Sequence, residues 1–144
     1  MYAFSIHPLA VLVAAVISFA IGSVWYSSAF FAPSWVRITG RTMEEKQQLG
    51  KLTRVINYAL VFLSLIIVAL VITFFQENLF IPTIGQAVAA GFWLWFVGVG
   101  VVTMVSTITE PRKTLGDSWK LFAITTGYWL VVFLVTSLVI FAMS

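Results

Sequence analysis

With 144 residues, 61% of them hydrophobic and only 9% charged, the chain carries too little polar surface to cover a soluble core. The absence of cysteine excludes disulfides, thiolate chemistry and sulfur-ligated metals, and the single histidine, His7, has no carboxylate close to it in sequence, so no metal or cofactor is expected. The net charge of +3 comes from eight Lys and Arg residues that all lie in two stretches, 37–54 and 112–120, a distribution suited to an anionic lipid surface and not to nucleic acid.

About 20 apolar residues cross the hydrocarbon of a bilayer, and without water each crossing segment must be helical to satisfy its own backbone. The first such segment is 8–31. The tail before it has no Lys or Arg, and the apolar run exceeds that of a signal peptide, so it is expected to be a retained span that stops at Pro33. Along it, Ala10, Ala14, Ser18 and Gly22 recur at i+4 and form a ridge of small residues that another helix can approach closely. Packing within the chain is the expected use of this ridge, and a contact between subunits is the alternative. The loop 32–54 should hold a short amphipathic helix at 43–49, opened by Thr42 and Glu45 at capping-box spacing, stopped by Gly50, and turning Glu44, Glu45 and Lys46 to water.

The second span is 55–75. Loop 76–85 follows, with Glu77, Asn78 and Pro82 but nothing basic. The third span, 86–108, carries small residues at Ala87, Gly91 and Gly98. Its Trp93 and Trp95, two positions apart, must point in different directions, one into the bundle and one toward lipid or a neighbouring subunit. Loop 109–120 is broken by Pro111 and Gly116, and Glu110 is expected to pair with Arg112 or Lys113. The fourth span, 121–143, presents Ala123 and Gly127. The predicted fold is all-α: one four-helix transmembrane bundle over residues 1–144.

Basic residues gather in short loops on the cytoplasmic side. Loops 32–54 and 109–120 are therefore expected in the cytoplasm and both termini outside, in a multi-pass protein of the bacterial inner membrane. So one-sided a count opposes dual-topology insertion. Tyr2, Phe4, Phe74, Phe75 and Phe80 fit an outer aromatic belt, and Trp25, Tyr26, Trp35 and Trp119 an inner one.

No span contains Asp, Glu, Lys, Arg or His, which removes the usual carriers of a proton relay. Polar side chains instead concentrate in the inner halves: Tyr26 on the first span, Asn57 on the second, Thr103 and Ser106 on the third, Tyr128 on the fourth. Such groups turn inward and bond across helices at roughly 0.6–2 kcal/mol each. They read as a structural network that pins helix register or, alternatively, as a pocket open to the cytoplasm. No nucleophile–base pair, phosphate loop or metal cluster is visible, and no catalytic residue is assigned.

The segment Gly22-Ser23-Val24-Trp25-Tyr26, ahead of Phe30, Phe31 and Trp35, resembles the Gly-x-x-Trp-Tyr signature of a bacterial membrane family catalogued as domain of unknown function 1761. Trp119-Lys120-Leu121-Phe122, with Gly127-Tyr128 following, is similar to that family's second signature. Two positions depart: Ser27 stands where Gly commonly follows the Trp-Tyr pair, and Trp129 where His often follows the Tyr. The resemblance implies four helices and no assigned activity. The expected role is that of a non-enzymatic membrane protein acting through helix packing, as a homo-oligomer or an accessory subunit of a membrane complex. The alternative is a facilitator or binding protein for a small or hydrophobic solute.

Overall fold

The computed structural model of the chain describes residues 6–41, 43–110 and 114–144, and for Met43, Lys46 and Gln47 the backbone alone. The expectations for Tyr2, Phe4, Thr42, the Lys46 side chain, Pro111, Arg112 and Lys113 fall outside the described residues.

All secondary structure among the described residues is helical, and four helical segments are long and apolar enough to cross a membrane. The first, α1 (Pro8–Trp25), opens on a proline, whose missing N–H belongs to a donor that has no intrahelical partner in any case. It ends at Trp25, six residues short of the expected 31. Beyond the capping bond from Tyr26 N to Gly22 O, the Phe31 amide turns back to Trp25 O at 3.2 Å, and the Phe31 ring packs on the Trp25 indole with centroids 4.7 Å apart. Pro33 is therefore not the stop. It lies in the first turn of a separate helix, α2 (Ala32–Thr39), which the sequence reading missed and which closes on Gly40 at φ +70°. Arg37 of α2 pairs with Asp117 at 3.3 Å, so the first and third loops lie at the same end of the molecule.

The short helix α3 (Met43–Gln48) falls where the amphipathic segment was expected. It leads to α4 (Lys51–Asn78), whose 28 residues span about 42 Å, longer than the about 30 Å of a bilayer core. The third crossing segment runs from 84 to 109 in three parts. Thr83 caps α5 (Ile84–Trp95) by accepting from Gln86 N; a π-helical turn follows at Phe96–Gly100; and α6 (Val101–Thr109) completes it. Thr114 then caps α7 (Leu115–Met143), accepting from Asp117 N at 3.0 Å.

The last helix is the hub. It packs against α1, α4, α5 and α6, and buries Ile124, Tyr128, Val132, Phe133, Thr136, Ser137 and Ile140. Ala10, Ala14 and Ser18 of the α1 ridge are buried to within 1% exposure, facing α4 and α7, so this ridge is occupied inside the bundle. Across the bundle α5 approaches α7 through Ala87 and Gly91. An added Cβ at Gly91 would stand 2.9 Å from Ser137 Cβ and 3.0 Å from Phe133 O, so glycine sets this helix separation.

Packing is tight in one half of the bundle and open in the other. Residues 51–60 of α4 are exposed throughout, and no residue of α6 is buried. The exposed parts of α4 and α6 lie toward the end that carries the basic loops, where α1 and α7 stay in close contact.

Candidate functional site

Toward that end lies a cleft of about 530 Å³ between α1, α4 and α7, lined by Phe19, Gly22, Ser23, Tyr26, Tyr58, Val61, Tyr128 and Trp129. Its floor is built by the two segments that carry the sequence signatures, which pack on each other reciprocally. Gly22 of α1 faces Tyr128 so closely that an added Cβ would meet its hydroxyl at 2.8 Å, while Gly127 of α7 faces Trp25, whose Cζ2 a Cβ would meet at 3.2 Å. Each glycine makes room for the aromatic side chain of the other helix. The Trp25 indole then donates to Ile124 O at 3.0 Å. From the opposite side the Trp95 indole donates to Thr126 O, also at 3.0 Å. Two tryptophans thus hold one stretch of the α7 backbone and fix its rotation.

With α7 held in this way, Tyr128 points toward α1, its hydroxyl 3.5 Å from Ser18 O, and its ring meets Tyr26 edge-on at 5.6 Å between centroids. On the α4 wall, Tyr58 meets Phe19 edge-on at 6.3 Å and is 63% exposed, so its hydroxyl reaches the rim. The cleft combines aromatic walls with phenol and serine hydroxyls, the mixture of apolar lining and a few polar groups typical of ligand sites, and its volume lies within their usual range of about 300–1,000 Å³. A second hollow of about 540 Å³, lined by Ile17, Ala20, Ile21, Val24, Trp25, Phe30 and Phe31, offers no hydroxyl, amide or charge on its side chains beyond the Trp25 indole already bonded to α7.

Of the five residues expected to form an inner polar cluster, the structure brings together Tyr26 and Tyr128 only. Asn57 is exposed. At 100° per residue it sits about 90° away from the stripe of α4 that carries the buried Leu65, Ala69, Ile72 and Gln76. Thr103 and Ser106 are half-buried on α6 and stay apart from the cleft; Ser106 Oγ donates to Thr103 O at 3.0 Å, within its own helix.

The polar network that does cross helices lies elsewhere. Gln76, expected in a loop, is buried at the end of α4 and donates to Ser137 O at 2.9 Å and Ser137 Oγ at 2.8 Å; Ser137 in turn donates to Ala87 O. Ser18 and Thr136 hydroxyls pair at 3.2 Å between α1 and α7. The side-chain amide that ties helices together is therefore Gln76 and not Asn57. Its spacing from Ala69 and Ile72, seven and four residues back, is the sequence signal that places it on the packed face. Trp93 and Trp95 divide as expected: Trp95 packs on α7, and Trp93 is 60% exposed.

Fold and cleft together define a small helical bundle of the membrane-spanning class, with an aromatic hollow between three of its helices. A family model described as protein of unknown function (DUF1761) matches residues 9–141, and the chain belongs to that family. Comparison with curated proteins and with solved structures gave no match.

Proposed function

We propose that this protein is a multi-pass membrane protein that receives an amphipathic molecule from the bilayer into the α1–α4–α7 cleft and binds it without chemical change. The observation that carries this reading is the cleft itself, about 530 Å³ with Tyr26, Tyr58 and Tyr128 hydroxyls set among aromatic rings. Action through packing of the α1 ridge against another subunit has less support, because Ala10, Ala14 and Ser18 already face helices of the same chain. The basic loops lie at the open end of the bundle, and the positive-inside tendency puts that end at the cytoplasmic leaflet. An alkyl chain in the cleft would replace lipid contacts with aromatic ones, while the hydroxyls orient its polar end.

The test is retention of bound lipid-phase molecules through purification in mild detergent, quantified by mass spectrometry of the organic extract. Val61→Trp fills the cleft from a position 45% exposed on α4, where the larger ring needs no rearrangement of the core. The wild type is expected to retain a stoichiometric amphiphile and Val61→Trp to lose it. Equal retention by both proteins would refute the reading.

A further inference from the structure

Along α4, the residues at steps of three and four form one continuous face: Lys51, Arg54, Tyr58, Val61, Leu65, Ala69. Leu65 and Ala69 of that face are buried in the core, and Tyr58 and Val61 line the cleft. Lys51 and Arg54 continue the same face beyond Tyr58, the first α4 residue that lines the cleft. At 1.5 Å per residue, Arg54 stands about 6 Å and Lys51 about 10 Å beyond Tyr58 along the helix. Both are exposed, the first turn of α4 contains no acidic residue, and neither cation enters an ion pair with a described residue. Two cations therefore stand on the cleft-lining face of α4, one and two turns beyond the aromatic hollow.

From this alignment we infer that the occupant of the cleft is a membrane lipid with an anionic head group, its phosphate held by Arg54 and Lys51 and an alkyl chain lying against Tyr58, Val61 and Tyr128. The inference rests on the cleft being a ligand site, as proposed above, and adds the charge of the ligand and the residues that read it. Arg54 supplies the planar, bidentate donor pair suited to phosphate, and Lys51 a second positive charge above it. A zwitterionic lipid carries its own cation beside the phosphate and gains less from these two residues.

The experiment exposes the full-length protein in mixed micelles to equimolar phosphatidylglycerol and phosphatidylcholine and counts each bound lipid by native mass spectrometry. Wild-type protein should prefer phosphatidylglycerol, and Arg54→Gln should reduce that preference about fivefold, the scale of one basic residue near an anionic membrane surface. Lys51→Gln combined with Arg54→Gln should abolish it. Arg41→Gln removes an equal charge from the α2–α3 connection, off the α4 face, and should leave the preference unchanged. If Arg41→Gln lowers the preference as much as Arg54→Gln, the cations act as a diffuse field and the inference is overturned. If wild type holds both lipids equally while Val61→Trp expels both, the head-group assignment fails and the cleft reading survives. If Val61→Trp leaves both lipids bound, both fall together.

Discussion

Replacing Gly91 with alanine adds one methyl group at the closest approach of α5 to α7. Its carbon would sit 2.9 Å from Ser137 Cβ and 3.0 Å from the Phe133 carbonyl oxygen, against about 3.5–4.0 Å for an ordinary carbon contact. One of the obstacles is backbone, so no rotamer change relieves the clash and α5 must retreat from α7. Overpacking of this kind costs about 1–3 kcal/mol. The retreat also stretches the bond from Ser137 to Ala87 O, a contact worth roughly 0.6 kcal/mol in a membrane protein. Alanine gains back about 1 kcal/mol of helix propensity over glycine. The net expectation is a loss of about 0.6–2.6 kcal/mol, or a fall in apparent Tm of about 1–10 °C at 2–4 °C per kcal/mol. Gly98→Ala is the control, since a Cβ there meets nothing within 4 Å and stability should hold or rise. Thermal unfolding of both variants in the same detergent, followed by circular dichroism, decides the matter. Coincident curves for Gly91→Ala and Gly98→Ala would show that glycine does not set the α5–α7 distance.

Gln76→Leu should destabilise by about 1–2 kcal/mol, because it deletes both bonds to Ser137, whereas the exposed Asn57→Leu should stay within about 0.5 kcal/mol of wild type; reversible unfolding in mixed micelles ranks the two, and the opposite order would refute the placement of Gln76 as the helix tie. Trp25→Phe removes the indole bond to Ile124 O and should cost about 0.5–1.5 kcal/mol; combined with Gly127→Ala the losses should fall short of additive, since both act on one contact, and strict additivity in the double-mutant cycle would separate them. Cysteines at Glu44 and Asn78, introduced into a chain that has none, should label from the cytoplasmic and outer faces respectively; labelling of Glu44 from both sides would overturn the orientation drawn from the basic loops.

Much of the secondary structure was legible in the sequence because it is local. A run of about 20 apolar residues needs lipid around it and a helical backbone within it, whatever its neighbours. The third crossing segment, expected over 86–108, runs from Ile84 to Thr109. The first was overrun by six residues because its end is tertiary: the Trp25 indole reaches Ile124 O on α7, and the Phe31 ring folds back onto Trp25. The signature residues were visible as a pattern, but their reason was not. Gly22 pairs with Tyr128 and Gly127 with Trp25 across a distance of about a hundred positions in the chain.

The candidate site was half legible. Tyr26 and Tyr128 were singled out for their polarity and do meet, at 5.6 Å, whereas Asn57, Thr103 and Ser106 were grouped with them for the same reason and do not. Apolar residues surround α4 on every side, so its composition carries little record of which face meets α1 and α7. In water, a helix marks its buried face by contrast with a polar one; in lipid that contrast vanishes. Composition and charge by themselves determined that this chain forms helices suited to a membrane, with its cations gathered into two stretches of the sequence. Only the packed structure decided which faces turn inward, because that choice depends on steric fit at Gly22, Gly91 and Gly127 and on the hydrogen bonds of Trp25, Trp95 and Gln76, all of them contacts between segments remote in sequence.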